Sequence, residues 1–322
     1  MIPFAKPYLG IEEEMAVLEV LRSGNLAMGS KVKEFEEKFA EYVGAKYAVA
    51  FNGCTSALRS AIDVLVLPQE VKVPAITYTA TASVVVDSGR IPVFVDVDEN
   101  LLAKDADIPV HLAGRRVKGD ALIFDSAHRI EKDDVKNSKA IWCYSFYATK
   151  NLTTGYGGMA CTNNLEHYRG LKLIQDDGRF KTKPTYSVIQ AVGGRDMNDL
   201  VAAIGLEQLK KLPWMTEQRN RVVSRYNKNL GLDRVGNHLY PILVERRNEF
   251  IKYMNENGVQ TSVHFLPLHL EPAYEKYWDG ISLPNTELLG QRLVSLPIFP
   301  ELLDSEVDYI SEHVLKTNLF IK

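Results

Sequence analysis

Cysteine is scarce in this chain: the 322 residues contain Cys54, Cys143 and Cys161, an odd number with no CxxC spacing. That argues against both a disulfide framework and a cysteine-based zinc site. His111, His167, His238 and His313 have no carboxylate or second histidine at ligand spacing, so they are expected to be surface or satisfied core groups and no metal is expected. Long apolar runs are also missing, since Ala82–Val86 falls far short of the roughly 18 to 20 uncharged residues that span a bilayer. Charge of one sign is not in excess: 38 Lys and Arg stand against 41 Asp and Glu, a net charge of -3 that gives no reason to expect nucleic acid as a partner. The opening Met1–Lys6 lacks a charged region followed by an apolar stretch, so no secretory signal is expected and the protein is expected in the cytoplasm. Internal repeats and low-complexity segments are absent as well.

What is present is the composition of a packed globular protein, 46% hydrophobic and 25% charged. Two amphipathic helices come first. Ile11, Met15, Leu18 and Leu21 fall at helical spacing up to a stop at Ser23-Gly24, and Val32, Phe35, Phe39 and Tyr42 share the next helical face. Short apolar strands then alternate with helices: Tyr47–Phe51, Val71–Ile76, Ile91–Val97, Ala121–Asp125, Ala140–Phe146 and Gly158–Thr162. That alternation predicts an α/β fold with a mainly parallel sheet covered by helices on both faces, whose ligands lie at the C-terminal ends of the strands. Pro213-Trp214 reads as the end of a helix and a domain boundary, giving a large α/β domain over 1–213 and a smaller α+β domain over 214–322. In the second part Leu239–Val244 and Thr261–Phe265 read as strands, Arg247–Gly258 as a helix, and a last helix follows Asp304. Arg219, Arg221 and Arg225 read as a solvated basic face, and Trp142 as core.

The stretch Tyr144–Gly158 carries the chemistry. An apolar strand delivers Lys150 into a loop of small and hydroxyl residues closed by Gly155, Gly157 and Gly158. A lysine amine titrates near 10.4 in water, and desolvation can make it a neutral nucleophile near pH 7. A pyridoxal phosphate site needs such an amine, a carboxylate for the pyridine nitrogen, a flat group against the ring and a cradle for the phosphate. Lys150, Asp125 and Tyr78 supply the first three, and Gly53, Thr55 and Ser56 with Ser145 the cradle, since a strand, small hydroxyl residues and a helix start make an anion site. Thr55 and Ser56 would equally serve as a helix N-cap.

These residues stand in segments that resemble the DegT/DnrJ/EryC1/StrS aminotransferases, pyridoxal phosphate enzymes of fold type I acting on nucleotide-linked keto sugars. The resemblance covers most of the chain. It includes Phe35–Ala40, Val73–Tyr78, Pro92–Asp96, Asn198–Leu206 and His264–His269, and it is strongest at Ser145–Gly155. It implies that Lys150 holds the cofactor aldehyde and then moves the proton, that Asp125 pairs with the pyridinium nitrogen, and that His128 lies near the cofactor's ring oxygen. Thr55, Ser56 and Ser145 match the phosphate contacts.

By the same resemblance, L-glutamate leaves its amino group on pyridoxal 5'-phosphate, and the pyridoxamine 5'-phosphate so formed passes it to C3 or C4 of a nucleotide-linked deoxy sugar. The active site is then expected at the subunit interface of a homodimer. Two alternatives stay open, a keto-sugar dehydratase and a non-catalytic binder of cofactor or sugar nucleotide; dehydratase relatives carry histidine in place of the lysine, so Lys150 speaks against the first. Asn25 replaces a family aromatic, and Tyr156 stands in the family's Gly-Glu-Gly-Gly turn. Gly193-Gly194 stands where the family has an asparagine, and the span from Asp98 to Asp125 is short. Asn25, Tyr156 and His264 are accordingly candidate substrate contacts.

Overall fold

The computed structural model describes residues 1–182 and 185–322. Helices α1 (Ile11–Ser23) and α2 (Ser30–Val43) precede β1 (Tyr47–Phe51), α3 (Cys54–Val64), β2 (Glu70–Pro74), α4 (Ala80–Asp87) and β3 (Ile91–Val95). A short 3-10 turn at Leu112–Gly114 leads to β4 (Ile123–Asp125), β5 (Ile141–Ser145) and β6 (Gly158–Thr162). Then come α5 (Leu165–Gln175), the hairpin strands β7 (Arg179–Thr182) and β8 (Thr185–Val188), and α6 (Asp199–Leu230). The chain finishes with β9 (Tyr240–Val244), α7 (Arg247–Glu256), α8 (Pro284–Arg292), β10 (Leu293–Leu296), α9 (Asp304–Lys316) and β11 (Phe320–Ile321).

The sheet is the expected one, with one strand reversed. β4 and β5 are parallel, as are β2 and β3, whereas β6 lies antiparallel between β5 and β1. The extended segment 107–111 stitches the two parallel pairs together: Asp107 and Ile108 donate their N–H groups to Lys72 O, and Asp125 N–H donates to Pro109 O. Residues alternate across this sheet. Along β5, Ile141 and Cys143 pack with Leu58 and Ile62 of α3, and Trp142 and Tyr144 pack on the opposite face with Phe35 and Phe39 of α2. Both faces are therefore buried, which is why these strands read as unbroken apolar runs.

Local signals explain most element ends. Gly24 takes φ +73° at the end of α1, a left-handed conformation that favours glycine. Asn198 caps α6 through its side chain, which accepts the Val201 N–H.

The structure corrects three readings and adds the orientation of α1. Pro213 does not end a helix, because α6 runs through it from Asp199 to Leu230. Buried Leu212, Met215, Val222 and Tyr226 hold the helix against its neighbours on both sides of the proline, while Pro213 itself is exposed, so the carbonyl lacking its N–H can meet water. Thr261–Phe265 forms no strand beyond a single bridge of Ser262 to Ser295; β9 lies instead between β11 and β10, the latter hidden by the sequence in a helix-like run. The apolar stripe of α1 faces outward, with Ile11, Met15 and Leu21 all more than half exposed. Finally, the basic face of α6 is not simply solvated: Arg219 is buried, and Arg221 and Arg225 pair with Asp304 and Asp308.

Candidate active site

Residues 145–158 form a loop cinched at its neck. Phe146 N–H donates to Gly157 O and Thr154 N–H to Phe146 O, each at 2.9 Å. At the sheet end of this loop Gly158 pairs with Ser145 on one side and with Phe51 on the other, so three strands meet there. A Cβ on Gly158 would stand 2.4 Å from the backbone carbon of Gly53, which leads into α3. Only glycine lets the start of α3 approach the sheet this closely, and as at any helix start its first N–H groups have no intrahelical acceptor.

Between this loop and the ends of β1, β4 and β5 lies a cavity of about 310 Å³. Lys150 and Asp125 face it with Gly53, Thr55, Ser145 and Tyr78. Burial lowers the Lys150 amine from the ordinary 10.5 to about 8, with Asp125 and Cys54 pulling the other way. Asp125 is nearly fully buried at the end of β4. Its Oδ2 accepts from Thr81 Oγ1 at 2.8 Å and its Oδ1 from Ala127 N–H at 3.0 Å. Burial still raises its carboxyl above the usual range, against the opposing effect of those bonds and of Lys150. A carboxylate so placed is stabilised by a cation brought against it.

Imidazoles close the opposite wall. His128 and His238 lie with centroids 4.3 Å apart and ring planes tilted by 43°, and His264 lies between Phe4 and Phe265. Burial, and to a lesser degree Lys150, lowers His264 to about 4, and His128 is also held well below the ordinary histidine range. All three are neutral at pH 7. A larger, more open basin of about 870 Å³ lies at the opposite end of the strands, between Lys139, Asp120 and Arg116. Its rim of exposed charges has no buried carboxylate and amine facing each other, so the chemistry lies in the smaller cavity.

Most of the residues singled out in the sequence thus converge: Lys150, Asp125, Tyr78, His128, Gly53, Thr55, Ser145, Tyr156 and His264 line one cavity. Two do not. Ser56 turns its hydroxyl to Asn52 Oδ1 at 2.6 Å, and Asn25 is an exposed turn residue whose N–H meets Ser23 Oγ. The sequence reading missed Phe4, Phe265, Ile298 and above all His238, which it took for an ordinary structural histidine. No spacing rule marks them, since each comes from a separate stretch that only the tertiary fold brings near Lys150. His111 is a core group satisfied on one side: its Nδ1 accepts from Val117 N–H at 3.0 Å, and its buried Nε2 has no partner among the described residues.

The sequence profile of the DegT/DnrJ/EryC1/StrS aminotransferase family matches residues 7–315. The spore coat polysaccharide biosynthesis protein SpsC of Bacillus subtilis is 33% identical over 373 aligned positions, covering 97% of this chain and 96% of that one. Those positions outnumber the 322 residues here, so this chain fills the same frame with fewer residues. Among solved structures, PseC of Helicobacter pylori, an aminotransferase of pseudoaminic acid biosynthesis, superposes with TM-score 0.91 at 25% identity, each chain covered to 98%. The putative sugar aminotransferase Spr1654 of Streptococcus pneumoniae, in its PLP form, superposes with TM-score 0.87 at 28% identity, each chain covered to 97%. With its lysine, buried carboxylate and fold in place, this chain belongs to the DegT/DnrJ/EryC1/StrS aminotransferase family of pyridoxal-phosphate-dependent enzymes.

Proposed function

We propose that this aminotransferase moves an amino group from L-glutamate to a keto group, at C3 or C4, of a nucleotide-linked deoxy sugar, giving an amino sugar nucleotide. The observation that carries the reading is the meeting of a lysine amine titrating near 8 with a buried, cation-seeking carboxylate in one cavity. Pyridoxal phosphate, when bound, supplies an electron-accepting ring and the carbon that takes and gives up the amino group. The chain's residues do the rest. Asp125 would keep a proton on the ring nitrogen by its negative charge, and the start of α3 with Thr55 and Ser145 would hold the phosphate. His128 would serve the ring oxygen, and Tyr78 would cover a ring face. Lys150 Nζ, whose lowered pKa of about 8 gives it a far larger neutral share than an ordinary lysine, would take a proton from the substrate carbon and return it two atoms away, across the nitrogen, serving both halves of the exchange. Tyr156 and His264, which line the same cavity, are the residues assigned to the sugar in this reading.

Two wider features belong to this reading. The chain divides into a large cofactor-binding part over 1–213 and a smaller part over 214–322, with α6 crossing between them. It works as a homodimer in the cytoplasm; the exposed stripe Ile11, Met15 and Leu21 on α1 supports the pairing, because an unpartnered apolar helix face favours a second surface.

The test uses purified protein carrying its cofactor. L-Glutamate should shift the cofactor's visible absorbance and release the corresponding keto acid. A panel of UDP-, dTDP- and GDP-linked 3-keto and 4-keto sugars should then yield one product whose mass shows oxygen replaced by an amine. Loss of water without gain of nitrogen, or no response to glutamate, would overturn the proposal.

A further inference from the structure

We propose that His238 is a further binding residue of the cavity, forming with His128 a donor–acceptor pair that reads a hydroxyl group on the molecule bound there. Both imidazoles line the cavity, and each has its Nδ1 committed to the protein behind it. For His128 the partner is the Ala113 N–H, at 3.4 Å. A backbone N–H can only donate, so Nδ1 carries no proton and the proton of the neutral ring sits on Nε2.

For His238 the arrangement is reversed, and its direction is set from far away. Its Nδ1 meets Asn151 Oδ1 at 3.0 Å. Asn151 Nδ2 donates to Asn237 Oδ1 at 2.9 Å, and Asn237 Nδ2 donates to Asn220 Oδ1 at 3.2 Å and to Glu131 Oε1 at 3.4 Å. Turning Asn237 over would set its oxygen against the Glu131 carboxylate, and turning Asn151 over alone would set two amide oxygens against each other. Glu131 therefore fixes both amides, and the amides fix the proton of His238 on Nδ1. What remains at Nε2 is a lone pair.

Neither Nε2 has a hydrogen-bond partner among the described residues, so the cavity is offered one N–H and one lone pair side by side. Burial keeps both rings neutral, with Lys150 adding to the effect in each and Arg219 in His238. This neutrality decides the ligand class, because a protonated His238 would make two donors and suit an anion. A hydroxyl both accepts and donates, whereas a carboxylate or an ionised phosphate only accepts. Two sources bring a hydroxyl to this place, the ring of pyridoxal phosphate and the sugar; the second rests on the function proposed above.

The decisive variants are His238→Asn and His238→Gln. An asparagine amide reaches the Nδ1 position and keeps the bond to Asn151 but leaves nothing at Nε2, whereas glutamine places an acceptor near Nε2. In cofactor-free protein labelled with nitrogen-15 histidine, NMR should show the proton of His238 on Nδ1 and that of His128 on Nε2, and Asn151→Leu should release the preference of His238. His238→Asn should weaken binding by about tenfold, with His238→Gln within about threefold of wild type. If the ring hydroxyl is read, the loss appears in the dissociation constant of pyridoxal phosphate and vanishes with an analogue lacking that hydroxyl. If the sugar is read, the cofactor titration is unchanged and KM for the keto sugar rises, with the glutamate half-reaction intact. A proton on Nε2 of His238, equal losses in both variants, or no change in either titration would overturn the pair. Wild-type protein that aminates no keto sugar would sink the proposed function, while the NMR and cofactor arms would still decide this one.

Discussion

Burial sets the shifts of Lys150 and Asp125, each partly offset by the other's charge, and each can be tested alone. Capture of pyridoxal phosphate by cofactor-free protein needs the neutral amine, whose pKa lies at about 8 where an ordinary lysine has 10.5. The capture rate should climb about tenfold per pH unit up to about 8 and then level, where an unperturbed lysine would keep gaining beyond pH 10. Stopped-flow absorbance across that range checks the sign and the break point. Asp125 is costly while its site holds no cation, since burial raises its carboxyl despite two hydrogen bonds. Asp125→Asn should therefore leave the melting temperature of cofactor-free protein unchanged or higher, while kcat falls by roughly 10²- to 10³-fold as the charge opposite the ring nitrogen is lost. Melting curves and steady-state rates on the same preparation separate the two effects.

At the scale of the element, two positions make opposite predictions. Gly158→Ala pushes a methyl into the backbone of Gly53, which neither β6 nor α3 can yield without moving the cradle. It should cost about 1–3 kcal/mol in urea unfolding and weaken cofactor binding together. Pro213→Ala should do the reverse: the helix is already continuous there, so an added N–H and a better helix former should stabilise by about 1–2 kcal/mol, less than the roughly 3 kcal/mol propensity difference because the unfolded chain also loosens. A rise in urea midpoint without loss of activity is the expected result. The same contrast shows what the sequence could disclose. Strands β1, β4 and β5 were legible because burial on both faces makes them plainly apolar, and Asp125 and Lys150 because they stand at or just past the end of such a strand. Pro213 misled because packing by Met215, Val222 and Tyr226 overrides a local breaker. Strand β10 was invisible because Leu293–Leu296 has no turn before it, following directly on α8. His238 was unreadable as a cavity residue because its role is set by Asn151, Asn237 and Glu131, distant in sequence and adjacent only after folding.

For the whole molecule, the exposed apolar stripe of α1 makes association testable. Sedimentation should return twice the chain mass, and Met15→Glu, placing a charge in the middle of that stripe, should shift the protein toward single chains at micromolar concentration. An unchanged dimer in that variant would move the interface elsewhere. The 32 residues of α6 bear on how such a molecule admits its ligands. A helix of that length is a rod of about 48 Å. One end is pinned where Asp199 accepts the N–H groups of Gly29 and Val32; the other, where Asn227 accepts from Tyr240 Oη and the Arg234 N–H. A strut fastened at both ends does not fold like an elbow, so access to the cavity does not come from a bend within α6.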